Sequence, residues 1–158
     1  MNETELDNIY NFVQISDRIA TAGQPTEEQF AEISSEGYDV IVNLALPTST
    51  NAISDEAEIV DRWDMKYIHI PVIWENPTLA DFQQFVKVMD TYSEQKVLVH
   101  CAMNMRVSAF IYLYRRIGDR VEEEKAKQDL AKIWTPNEIW QAFMEKVQKY
   151  YEEKDKST

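Results

Sequence analysis

The sequence is poor in the residues that staple, bend or ligate: among 158 residues there are one cysteine, Cys101, three glycines and two histidines. A single cysteine excludes an internal disulfide framework and any multi-cysteine zinc site. Basic residues are also scarce, with 16 Lys and Arg against 28 Asp and Glu and a formal charge of −12. That field repels nucleic acid and anionic lipid, so neither is an expected partner. It also opposes small anions, but salt screens it beyond about 8 Å, and a strong local anion site can still operate. No apolar run reaches the length of a membrane span. Met1 to Asn8 is acidic and polar, unlike a secretory or transit signal, which makes the cytoplasm the expected location.

What is present is globular. Hydrophobic residues make up 44% and aromatics 11% of the chain, and the length suits one domain with a sizeable core. That domain is expected over 9–151, between flexible ends at 1–8 and 152–158. Strands are expected at Ile9 to Ile15 and Arg18 to Ala22, then at Asp39 to Leu44, Tyr67 to Pro71 and Lys96 to His100, each an apolar, β-branched run between turn residues. Thr26 with Gln29 has capping-box spacing for a helix that Gly37 ends. Ser54 is the expected cap of a second helix through Trp63. Pro77-Thr78 opens a third, with Leu79, Phe82, Phe85, Val86 and Met89 on one face. From Arg106 an almost wholly apolar helix runs to Gly118, followed by a charged one from Val121 to Lys132. Thr135-Pro136-Asn137-Glu138 reads as capping threonine, first-turn proline and glutamate for a last helix ending near Tyr151. Strands alternating with helices predict an α/β fold, a mainly parallel central sheet flanked by helices on both faces.

In such sheets ligands bind beyond the carboxyl ends of the strands, and the loop after Lys96 to His100 stands there. It reads Val99-His100-Cys101-Ala102-Met103-Asn104-Met105-Arg106-Val107-Ser108. A cysteine between a buried strand and a helix start meets unpartnered backbone N–H groups and the positive end of the helix dipole, which favour both a thiolate and a bound phosphate or sulfate. An arginine in the same loop adds a planar fork matched to two oxygens of one phosphoryl group. Ala102, Met103, Asn104, Met105 and Val107 are the expected substrate-binding residues through the loop backbone. Asn104 is the best substitute for the glycine such loops usually need at positive φ. Ser108 is a candidate donor to the thiolate, and His100 reads as a structural hydrogen-bonder rather than a base. A lone cysteine in an apolar strand is ordinarily a small core residue; His100, Arg106, Ser108 and the helix start around Cys101 favour a functional one.

The sequence resembles the protein tyrosine and dual-specificity phosphatase superfamily, and more narrowly its small bacterial branch with an Ala-Gly-Gln-Pro stretch near the start. The resemblance lies in Ile19 to Thr26, Val40 to Leu44, Tyr67 to Val72, Val97 to Cys101 and the helix that follows. It implies a dual-specificity-type fold and hydrolysis of phosphate monoesters through a cysteinyl-phosphate, with Cys101, Arg106, Ser108 and a general acid as the catalytic set. No cofactor or metal is implied. The implied partners are a phosphorylated protein or small molecule, with inorganic phosphate or sulfate able to sit in the loop.

The family pattern is His-Cys, five residues, Arg, then Ser or Thr, whereas here four residues separate Cys101 from Arg106. Either the loop is one residue shorter and the helix register shifts, or loop length is kept and Arg106 leaves the backbone roughly 100° from its usual direction. Ser108 keeps the family spacing from Cys101, which favours the second. The family's acid is an aspartate in the loop after the Tyr67 to Pro71 strand, where this chain has Ile73-Trp74-Glu75-Asn76-Pro77. Glu75 is therefore the candidate acid, ahead of Asp81, which reads as a helix cap, and Asp64, which precedes the strand. Trp134 and Trp140 read as core rather than pocket wall. Two alternatives stand beside the phosphatase: a phosphate- or sulfate-binding module without turnover, and a rhodanese-like sulfurtransferase, whose cysteine loop also closes after four residues.

Overall fold

The computed structural model describes residues 5–49 and 51–156. Its centre is a five-stranded sheet of order β1-β2-β5-β3-β4, formed by β1 (Val13–Gln14), β2 (Ile19–Ala22), β3 (Val40–Asn43), β4 (Lys66–His69) and β5 (Val97–His100). β1 runs antiparallel to β2, and all the other pairs are parallel. Every residue of β2, β3 and β5 is buried, as expected of central strands covered on both faces. Alternation splits them between two cores: Ile41 and Leu98 pack with Phe30, Ile33, Ile59 and Val60, whereas Val42 and Val99 pack with Phe82, Phe85, Phe110 and Trp140.

The first core lies under α1 (Glu27–Ser35) and α2 (Glu56–Arg62). The second lies under α3 (Leu79–Thr91), α4 (Met105–Ile117), α5 (Glu123–Ala131) and α6 (Glu138–Lys156). The capping boxes are formed as expected at Thr26 with Gln29, and at Thr78 with Asp81, which places Asp81 in the helix cap. Gly37 has φ +91°, the left-handed turn that ends α1. No described helix is long and apolar enough to cross a membrane.

Three local expectations are corrected. The first strand is only Val13–Gln14, because Glu5–Asn8 forms a 3-10 turn, Phe12 N–H closes a further turn on the Ile9 carbonyl, and Asn11 takes φ +52°. The Glu5–Asn8 turn falls in the segment expected to be a flexible end, and Leu6 and Ile9 are buried in the first core. α2 begins after Asp55 without a side-chain cap, so Ser54 does not start it. The cap of α6 is Asn137, whose Oδ1 accepts from Trp140 N–H at 2.9 Å, not Thr135, and the helix continues through Lys156, with Tyr151 packed edge-on to Phe82. Residues 1–4, 157 and 158 lie outside the described residues.

α5 is stapled to α4 by a buried ion pair. Asp129 accepts from Arg115 at 2.5 Å and from Lys132 at 2.9 Å. Burial opposes the carboxylate, but the bonds from Lys132 and Arg115 outweigh it and hold Asp129 below the usual carboxylate range. Its stabilising contribution is therefore complete at neutral pH and fades as pH falls through that lowered range. Asp129→Asn should cost about 3 kcal/mol at pH 7, because Arg115 is left buried without its counter-charge, and urea melts in an acid series should show that penalty shrinking only as pH falls below the ordinary carboxylate range.

Candidate active site

β5 delivers Cys101 to the carboxyl edge of the sheet, where its N–H points to the Ala22 carbonyl at 3.4 Å. The loop that follows is bound from behind. Ala102 carbonyl accepts from Gln24 N–H at 3.0 Å, Met103 forms an isolated bridge with Gly23, and Met103 carbonyl accepts from Asn11 Nδ2 at 3.1 Å. Gly23 is required by this closeness: a Cβ there would lie 2.8 Å from both the Ala102 oxygen and the Tyr10 ring.

Asn104 takes φ +66°, ψ +5°, the left-handed conformation expected of it. Its Nδ2 donates to the Asn11 carbonyl at 2.8 Å and to Thr21 Oγ1 at 3.0 Å, so the side chain anchors the loop behind the site rather than facing a ligand. α4 starts on the next residue. Its first backbone bond runs from Ser108 N–H to the Asn104 carbonyl at 2.9 Å, which leaves the Met105, Arg106 and Val107 N–H groups outside the helical ladder at the positive end of α4. Asn104→Ala should strain the backbone and remove both anchors, costing about 2 kcal/mol, whereas Asn104→Gly should keep the loop conformation; thermal melts of the two variants compare them.

Cys101 and Arg106 share one cleft of about 340 Å³, lined also by Leu46, Thr48, Trp74, Glu75, Ala102, Met103 and Met105. Arg106 is 8% exposed, its guanidinium carbon lies 5.5 Å from the centre of the Trp74 ring, and its Nε finds no hydrogen-bond partner among the described residues. A guanidinium so buried without a carboxylate is costly unless an anion completes it. Trp74 is fixed in turn by a tilted ring contact with Trp134 at 5.3 Å and by its carbonyl, which accepts from Trp140 Nε1 at 3.0 Å.

Several assignments change. Ser108 lies outside the cleft: its hydroxyl donates to the Met105 carbonyl at 2.9 Å and accepts from Trp134 Nε1 at 3.0 Å, which leaves no proton for the thiolate. Val107 is buried in the second core, so only its backbone is available to the loop. Arg106 is at the cleft and Ser108 is turned from it. Glu75 lines the cleft and is exposed. Asp64, exposed with φ +61°, does not line it. Trp140 is fully buried core, whereas Trp134 forms a second layer behind Trp74.

One residue was missed. Glu56, on the first turn of α2, is 3% exposed and meets His100 Nε2 at 2.6 Å. Its position three and four residues before Ile59 and Val60, on the same buried face of α2, was the available signal.

The geometry has close counterparts. A family model described as DSP-PTPase phosphatase fused to NAD+ Kinase matches residues 7–149. The chain belongs to that family. A DUF442 protein from Shewanella putrefaciens CN-32 is 33% identical and superposes with a TM-score of 0.83 over 92% of this chain and 96% of its own. Two sequences from Xylella fastidiosa named Beta-lactamase hydrolase-like protein are 31% identical over 118 residues, 73% of this chain. The chain spans 27% of the length of those relatives. PTPMT1, solved in complex with PI(5)P, shares the fold at 14% identity, with a TM-score of 0.78 over 91% of this chain and 98% of its own. The expected family and the α/β fold of dual-specificity type are thereby established.

Proposed function

We propose that the protein hydrolyses phosphate monoesters through a cysteinyl-phosphate. The observation that carries this reading is Arg106, buried, lacking an Nε partner among the described residues, and in the same cleft as Cys101 at the first turn of α4. Cys101 Sγ attacks phosphorus and forms the S–P bond while the bond to the leaving oxygen breaks. Glu75 gives that oxygen a proton. Arg106 and the loop N–H groups stabilise the equatorial oxygens as charge redistributes. Water then attacks phosphorus, Glu75 takes back a proton, and the S–P bond breaks to release inorganic phosphate.

The cleft also bears on substrate class. Among its described lining residues Arg106 is the cation and Glu75 the carboxylate, and the apolar wall is Leu46, Trp74, Met103 and Met105. One cation serves one phosphoryl group, so a singly phosphorylated small molecule or protein side chain suits it better than a polyphosphate. The family match favours phosphoryl over sulfur transfer.

The engaged hydroxyl of Ser108 favours a second reading, a phosphate-binding module without turnover, since the hydroxyl at the family spacing is not left to stabilise the departing thiolate. Steady-state hydrolysis of p-nitrophenyl phosphate separates the two. The first predicts turnover that vanadate inhibits competitively; protection of Cys101 from alkylation by phosphate without any turnover would replace it with the second.

A further inference from the structure

A buried polar chain runs from the Gly23-Gln24-Pro25 turn to Cys101 on the α1 and α2 side of the sheet. Both ring nitrogens of His100 face acceptors: Nδ1 is 3.2 Å from the Cys101 carbonyl oxygen and Nε2 is 2.6 Å from Glu56 Oε2. Glu56 Oε1 accepts from Gln24 Nε2 at 2.9 Å, and the same nitrogen donates to the Pro25 carbonyl at 3.0 Å. Two acceptors around it fix that amide atom as nitrogen. Glu56 Oε1 is thus an acceptor, and with Glu56 ionised every partner is satisfied when His100 carries a proton on each nitrogen. His100 is wholly buried and Glu56 almost so, and each would be costly there without the other.

We propose that Glu56 is a positioning residue for Cys101: through His100 it holds a positive charge against the Cys101 carbonyl and ties the start of the loop to α2 and to the Gln24 turn. Its bearing on catalysis rests on the phosphatase reading; the charge arrangement does not. A cation one residue from the sulfur favours thiolate over thiol. The other neighbours do not supply this charge. The Phe30 ring of α1 meets His100 edge-on at 6.3 Å. Tyr67 of β4, pushed up to about 12 by burial first and the Glu56 charge second, is neutral and accepts from Asn43 Nδ2 at 3.0 Å. Arg106 and Glu75 line the cleft that Cys101 also lines.

The test is the rate of iodoacetamide alkylation of Cys101 against pH. Glu56→Gln should displace the profile upward by about one pH unit, a tenfold slower reaction below its midpoint, and Glu56→Asp should recover part of the shift. In a His100→Asn background Glu56→Gln should add no further displacement. A merely structural role would lower the melting temperature and leave the profile in place. A folded Glu56→Gln with the unmodified profile overturns the proposal. Should Glu56→Gln not fold, nitrogen NMR of the His100 ring in the unmodified protein decides: two protonated nitrogens at neutral pH support it and one overturns it. Neither readout needs a substrate, so a displaced profile in a protein without phosphatase turnover would defeat the function and leave this inference standing.

Discussion

Cys101→Ser should lower p-nitrophenyl phosphate hydrolysis by at least about a thousandfold, the scale on which loss of a nucleophile shows. A serine hydroxyl at this position is neutral and has no base aimed at it: His100 faces the Cys101 carbonyl and Glu56. The thiolate, by contrast, draws on the helix start and Arg106. Because the change removes no anchor of the loop, the variant should bind phosphate within a few-fold of the unmodified protein, measured by calorimetry. Loss of binding together with turnover would mean that the loop had collapsed and that the nucleophile had not been tested.

Arg106→Lys should reduce kcat/KM by about a hundredfold or more, the loss seen when one preorganised oxyanion donor is removed. Lysine keeps the charge and loses the fork, so a second phosphoryl oxygen goes without a donor. It also loses the planar face that rests against Trp74. Most of the effect should fall on kcat, since charge on the equatorial oxygens rearranges during transfer, and phosphate affinity should weaken less. Equal losses in KM alone would instead assign Arg106 to uniform binding.

The parts of the fold that sequence reveals are those set by local chemistry. The β3 and β5 strands are short runs of three apolar residues closed by a polar one, and Thr26 and Thr78 sit three residues before the Gln29 and Asp81 that complete their caps. Asn104 is legible for a similar reason, since its backbone geometry limits the residue choice. α6 shows the limit of such reading. Thr135 and Asn137 are both capping types, and the choice of Asn137 follows from where Trp140 must bury itself.

The site divides in the same way. Cys101, Arg106 and Glu75 meet in one cleft because strand order and loop length bring them there. The bonds of Ser108 to Met105 and Trp134 were not legible, because one residue along a helix turns a side chain by roughly 100° and spacing from Cys101 does not say which of Arg106 or Ser108 faces the cleft. Glu56 is 44 residues from His100, and only the packing of α2 on the sheet unites them.

The most direct measurement is rapid acid quench of the protein during p-nitrophenyl phosphate turnover, followed by mass spectrometry of the peptide carrying Cys101. A covalent cysteinyl-phosphate mechanism predicts phosphate on Cys101, formed and lost at rates compatible with kcat and absent from Cys101→Ser. Steady turnover with no phosphate on Cys101 at any quench time, or turnover surviving in Cys101→Ser, would contradict it.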